Sequence, residues 1–311
     1  MNYLSIKDID HLSNWVEEAR NLKVNPTADK NLGEGKTICL LFFNNSLRTR
    51  LSTQKAAMNL DMDVMVMNFG SEGWQLEFED GEVMDQGKSE HIKEAAKVVS
   101  QFCDIVAIRA FASLTDKEKD EAEIVLNGFV KHASIPVVNM ESSVGHPLQA
   151  LADAITLDEQ NTKTRPKVVL SWAPHPKALP HAVANSFVEM MKLQDADFVI
   201  THPEGYELNP KITKDIKIEH NQKKACENAD FVYVKNWSSY MDYGKVLSQD
   251  SDWMMTQKKL ENAKFMHCLP VRRNVVVEDA VLDGEQSLVI EQANNRTFAA
   301  QVVLKKILES R

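Results

Sequence analysis

The sequence predicts an α/β protein built on two parallel sheets. Three observations carry that prediction. Short β-rich runs alternate with helical stretches whose apolar residues recur at a 3.6-residue spacing. The runs fall into two series of four, separated by a polar stretch. Hydrophobic residues make up 43% of the 311, enough to bury sheets on both faces.

The elements follow in order. "TICLLFF" (37–43), "DVMVMNF" (63–69), "DIVAIRAF" (104–111) and "IPVVNM" (135–140) form the first series of strands. "KVVLSWA" (167–173), "ADFVITH" (196–202), "ADFVYVK" (229–235) and "KFMHCLP" (264–270) form the second. Helical periodicity marks "HIKEAAKVVSQFC" (91–103) and "HAVANSFVEMMKL" (181–193), and 289–311 reads as one long amphipathic helix. Strand followed by helix, repeated, is the pattern of parallel sheets covered by helices. The polar "LDEQNTKTRPK" (157–167) reads as the boundary between the two series.

Composition excludes several classes. No run approaches the ~18 apolar residues of a membrane span. "MNYLSIKDID" has no basic segment followed by an apolar one, so no export signal is expected and the setting is cytoplasmic. Cys39, Cys103, Cys226 and Cys268 lack CxxC spacing and read as reduced thiols, neither a disulfide frame nor a zinc site. A net charge of −9 argues against nucleic acid. "GEGKT" (33–37) suggests a phosphate loop, but that motif needs a glycine where Lys30 stands and belongs after a strand, so it reads as a turn.

In so acidic a chain, an anion site must be built locally. "FFNNSLRTRLS" (42–52) does this at a strand-to-helix junction. Ser46 is a candidate N-cap for a helix from about Leu47 to Leu60, and Arg48, Thr49 and Arg50 add donors where free N–H groups and the helix dipole favour an anion, most naturally phosphate. Three further clusters end strands: Arg109 in "AIRAF"; Glu141 followed by "HPLQALAD" (146–153); and "HCLPVRRN" (267–274). Ligands bind α/β sheets at those carboxyl ends. Each cluster also has a bland reading: a surface ion pair for Arg109, a cap or satisfied core histidine for His146, core filling for Cys268.

Together the clusters resemble the transcarbamylase family, which transfers a carbamoyl group from carbamoyl phosphate to an amine. Its S-x-R-T-R motif is similar to Ser46-Leu47-Arg48-Thr49-Arg50, its H-P-x-Q motif to His146-Pro147-Leu148-Gln149, and its H-C-L-P motif to His267-Cys268-Leu269-Pro270. The resemblance implies a carbamoyl-phosphate domain (1–144, with the C-terminal helix 291–311 packing back on it), a second domain at 145–290, a homotrimer with shared sites, and a cis Leu269–Pro270 bond. It implies no metal or organic cofactor. Arg109, His146 and Cys268 are the implied catalytic residues. Ser46, Leu47, Arg48, Thr49, Trp74, Arg109, His146, Gln149, Cys268, Leu269 and Arg296 are the implied carbamoyl-phosphate contacts. A catalytically silent relative that only binds ligand is the alternative outside enzymology.

The second substrate is narrowed by the same resemblance. The ornithine branch holds a free α-ammonium with an acidic residue where this chain has Lys235, which would repel it and attract a carboxylate. The loop 71–90, whose Trp74 should reach a neighbouring subunit, and "WAPHPKALPHAVANS" (172–186) resemble the N-acylornithine branch, which implies a deep knot in the second domain. Its acylornithine contacts map to Glu90, Glu141, His175, Lys235, Leu269 and Arg272. The acetyl-specific type carries a modified lysine near Val276, absent here, and the chain as a whole resembles the succinyl type. Yet Glu90 stands where the succinyl type has proline, and a carboxylate facing a succinyl carboxylate predicts a preference for N-acetylornithine. An ornithine carbamoyltransferase remains the alternative within the family.

Overall fold

A computed structural model describes residues 1–310. The strands are β1 (Thr37–Phe42), β2 (Asp63–Asn68), β3 (Leu76–Glu77), β4 (Glu90–His91), β5 (Ile105–Arg109), β6 (Val137–Glu141), β7 (Lys167–Trp172), β8 (Asp197–Thr201), β9 (Lys217–Ile218), β10 (Phe231–Lys235) and β11 (Lys264–Met266). All eight β-rich runs are strands. The three additional ones, β3, β4 and β9, span two residues each, too few to show alternation.

The chain divides into two units. The first comprises residues 1–113, 118–148 and 296–311, and the second 114–117 and 149–295. The boundaries expected at 144/145 and 290/291 lie a few residues earlier. The polar stretch 157–167 does not separate the units. It is the end of the helix Pro147–Gln160 and the turn into β7, inside the second unit. Its polarity reflects exposure of a helix end and a turn.

The first unit holds a parallel sheet of order β2-β1-β5-β6. The two inner strands are built of β-branched and large apolar residues, and β5 is buried throughout. The edge strand β2 alternates exposed and half-buried residues. Leu41, Ile92, Val106, Ile108, Leu126, Phe129 and Val137 form one core. Residues 296–309 of the helix Val289–Glu309 belong to this unit, where Asn59 donates to Gln301 (2.8 Å) and Lys305 pairs with Glu18 (3.0 Å) and Asp29 (2.9 Å).

Register places the functional ends. Phe42 is paired with Arg109, and Arg109 with Glu141 across a local register shift. Three strands therefore end side by side, and their following loops leave at one edge, as parallel strands require. The second unit repeats this logic with the order β11-β10-β7-β8-β9. Lys235 is paired with Trp172, so the loop after β7 starts beside the end of β10. Its core gathers Val169, Val199, Val232, Phe265, Val276 and Val277. No helix among the described residues is long and apolar enough to cross a membrane.

Gly33 ends the 3-10 helix Lys30–Gly33, just ahead of the turn at 34–35 that leads into β1, and its N–H donates to Leu60 O (2.8 Å). A Cβ there would sit 2.7 Å from that same carbonyl and 2.4 Å from Met62 Cγ. Backbone cannot swing aside as a side-chain tip can. Gly33→Ala is therefore expected to cost roughly 1–3 kcal/mol of stability, read as a lowered midpoint in denaturant. Phosphate affinity should be unchanged; a specific loss of anion binding with normal stability would give the "GEGKT" stretch a ligand role after all.

Candidate active site

The residues of the expected anion cradle lie in the first unit, at the start of the helix Arg48–Asn59. Ser46 Oγ accepts from Thr49 N (3.2 Å), the capping bond expected of it, although the first helical residue is Arg48. Thr49 is buried, and its Oγ1 accepts from Arg296 Nη2 (2.6 Å). Arg48 Nε has no protein partner. Arg50 does not join them. Its guanidinium bonds Asn68 and lies over the Phe42 ring, 4.9 Å from the centroid, because a side chain two positions on from Arg48 leaves another side of the helix.

Arg109 braces this cradle. Its Nη1 donates to Asn44 O (3.1 Å) and Asn45 O (2.6 Å), and its Nε to Glu141 Oε2 (3.2 Å). Nη2 lies 3.0 Å from Glu141 Oε2 as well, which leaves one of its two N–H groups as the guanidinium's remaining donor. Burial lowers the pKa of Arg109; Glu141 opposes that and nearby Arg48 adds to it. His146 Nε2 lies 3.4 Å from Glu141 Oε2 and 3.4 Å from Arg296 Nη2. Arg109 and His146 thus flank one carboxylate, and Arg296 joins His146 to Thr49. Glu141, mapped to the acylornithine contacts by resemblance, is that carboxylate; it lies in the first unit, paired with Arg109.

Trp74 lies in the long loop of the first unit that β3 and β4 tie together in parallel. Its ring is exposed, and its indole N–H donates to Glu90 Oε2 (2.8 Å). Glu90 therefore has a partner within its own chain.

The second unit presents its residues at the ends of β7, β10 and β11. Arg272 Nε donates to His175 Nε2 (3.1 Å), and His175 Nδ1 lies 2.8 Å from Lys177 O and 3.1 Å from Lys177 N. Burial lowers the pKa of His175, and Arg272 and Lys235 lower it further against the opposing bond to Lys177. His175 thus lies beside Arg272, with Lys235 near enough to act on its charge. After β11, Leu269 has φ 54° and the Leu269–Pro270 bond is cis. Leu269 N donates to His267 Nδ1 (2.9 Å). Gln149, also in this unit, donates through Nε2 to Asp153 Oδ1 (2.7 Å), and its Oε1 has no protein partner. Sequence reasoning overlooked Asp153. Its one signal was the four-residue spacing from Gln149 on a helix.

Residues 1–159 match the family model for the aspartate/ornithine carbamoyltransferase carbamoyl-P binding domain, and 180–307 match that for its Asp/Orn binding domain. The chain belongs to the aspartate/ornithine carbamoyltransferase family. It is 47% identical to an N-succinylornithine carbamoyltransferase of Bacteroides fragilis (strain 638R), across 99% of this chain and 98% of that one. It is 33% identical to an N-acetylornithine carbamoyltransferase of Xylella fastidiosa (strain 9a5c), across 97% of each. A crystal structure of acetylornithine transcarbamylase complexed with acetylcitrulline superposes with a TM-score of 0.93, at 32% identity and 99% coverage of both chains.

In a carbamoyltransferase, the cradle geometry makes Arg48 the most direct test. Arg48→Ala removes a charge-assisted bond worth about 1.5–3 kcal/mol to a bound anion. The apparent Kd for carbamoyl phosphate should rise roughly ten- to hundredfold, with the unfolding midpoint little changed. Unaltered affinity would remove this helix start from the site.

Proposed function

We propose that this protein transfers the carbamoyl group of carbamoyl phosphate to the δ-amine of N-succinylornithine, giving N-succinylcitrulline and phosphate in arginine biosynthesis. The observation that carries the carbamoyl-phosphate half is the convergence of Thr49, Arg109, His146 and Arg296 at the start of the helix Arg48–Asn59. The cradle binds the phosphate and stabilises its departure. Thr49, Arg109 and His146 donate to the carbonyl oxygen as the tetrahedral oxyanion forms. Gln149 reads the carbamoyl amide. The backbone carbonyls of Cys268 and Leu269 accept protons of the attacking amine. That amine, with a pKa of about 10.4, is neutral in on the order of one molecule in a thousand at pH 7. The departing phosphate takes the proton, so no further base is needed.

The acyl group is read by charge. N-succinylornithine has two carboxylates, and Lys235 and Arg272 supply two cations beside His175. N-acetylornithine offers one carboxylate. Glu90 was the residue that favoured the acetyl substrate, but its carboxylate is held by the Trp74 indole. That neutral donor orients the Glu90 carboxylate without removing its charge, so the succinyl reading rests on the two cations beside His175. The succinyl reading also accords with the 47% identity to an N-succinylornithine enzyme, against 33% for an N-acetylornithine one. Leu269 completes the acylornithine contacts.

Three finer features belong to the same proposal. Trimer formation is supported by the exposed apolar Leu47, Leu51 and Met58 of one helix, by Met65 and Met67 of the edge strand β2, and by exposed Trp74, all in the first unit. A knot is supported by Asn236, which donates to Ala173 O (2.6 Å) and Pro174 O (2.9 Å), and by Ser238 N bonding Leu179 O (3.1 Å). The segment 236–238 thereby lies against the Pro-rich loop 172–186, where threading would occur. A cytoplasmic setting accords with cysteines that form no disulfide.

Phosphate release should be assayed side by side with N-succinylornithine, N-acetylornithine and ornithine. N-succinylornithine is expected to give the highest kcat/KM, and Arg272→Ala should reduce it roughly tenfold more than it reduces the acetyl rate, the loss of a charged bond. A higher kcat/KM for N-acetylornithine would return the specificity to Glu90. For the trimer, impaired Trp74→Ala and Arg48→Ala proteins, mixed under conditions that exchange subunits, should recover activity beyond the sum of the two alone. No recovery despite proven exchange would place Trp74 in its own subunit's site.

A further inference from the structure

The helix Pro147–Gln160 carries two buried polar side chains one turn apart, Gln149 and Asp153. Asp153 is fully buried, and its Oδ1 accepts two amide N–H groups: Gln149 Nε2 (2.7 Å) and Gln292 Nε2 (2.7 Å). A carboxylate oxygen accepts and has no hydrogen to give, so both glutamines must turn their NH2 groups toward it. Their carbonyl oxygens are forced the other way. Gln292 Oε1 then accepts from His267 N (2.9 Å), the backbone N–H that opens the His267–Pro270 segment. Gln149 Oε1 is left buried with no protein partner. Tyr233, also fully buried, lies beside Asp153 and Cys268.

We propose that Asp153 is a positioning residue for substrate selection: by fixing the Gln149 amide it presents only an acceptor, which takes the N–H of a carbamoyl group and discriminates against acyl phosphates of the same shape that lack one. This rests on the carbamoyl-phosphate assignment above. An amide free to rotate would present NH2 as readily as oxygen and so would not distinguish carbamoyl from acetyl. A buried acceptor left without a donor loses its desolvation cost uncompensated, so a ligand with a methyl at that point is disfavoured. The same carboxylate, through Gln292, also orders the start of the segment that carries Cys268 and Leu269.

The test compares dissociation constants of the whole protein for carbamoyl phosphate, acetyl phosphate and inorganic phosphate. The wild-type protein should bind carbamoyl phosphate roughly tenfold or more tightly than acetyl phosphate, as one satisfied buried acceptor allows. Asp153→Leu removes the acceptor at similar volume, and should bring the two constants within about twofold while inorganic phosphate, which has no amide, shifts by less than about twofold. Asp153→Asn can still turn an oxygen to both glutamines and should keep most of the preference. Should the leucine variant fail to fold, Asp153→Ser, whose hydroxyl is too short to reach both amides, carries the same readout. A preference that survives in the leucine or serine variant overturns the role of Asp153 and leaves the carbamoyl-phosphate assignment standing. A uniform loss across all three ligands shows a merely structural residue and overturns it as well. Absence of carbamoyl-phosphate binding in the wild-type protein overturns both.

Discussion

A buried pair of opposite charges closes the end of the first sheet, and the anion cradle is built against it. Arg109 and Glu141 are both nearly excluded from solvent. Burying two charges costs several kcal/mol per ion, of the order that mutual attraction alone fails to offset. The deficit is met by geometry. The Arg109 guanidinium also binds the carbonyls of Asn44 and Asn45, in the turn that leads from β1 into the helix of the cradle. The pair therefore pins the backbone just ahead of Ser46, Arg48 and Thr49. Positive groups held at the right place before a ligand arrives need no reorganisation when it binds, which is where such a site gains its strength.

The second unit solves a different problem. The acylornithine site proposed for it would read its ligand with a small number of fixed groups. His175 Nε2 accepts from Arg272 Nε and so holds that guanidinium in one direction. Asp153 performs the equivalent task for two glutamines. In both places a group with only one hydrogen-bonding sense sets the direction of a neighbour that has two. Such buried networks are costly when half satisfied, and this one leaves an open acceptor on Gln149.

The degree to which the site was legible varies by residue. Ser46, Arg48 and Thr49 were readable because a capping residue and cations at a strand-to-helix junction have a local physical meaning. Arg50 was misread, since two positions along a helix turn a side chain away and sequence adjacency concealed it. The pairing of Glu141 with Arg109 was not readable, because Arg109 comes from another strand and only register brings them together. Glu90 looked like a free charge, and its bond to Trp74 spans a loop with no periodicity to read. The polar stretch at 157–167 looked like a domain boundary because an exposed helix end and a linker share a composition.

What the amino-acid order determined by itself was the alternation of strand and helix, the eight principal strands, and the identity of the chemical groups at their ends. These depend on local periodicity, capping and charge, which act over a few residues. What only the tertiary structure decided was pairing: Arg109 with Glu141, Thr49 with Arg296, Arg272 with His175, and Asp153 with both Gln149 and Gln292. Most of those partners lie tens to hundreds of residues apart. Their contacts arise from sheet register and from where the C-terminal helix runs, and those are set by burial of the whole core, which no local segment encodes.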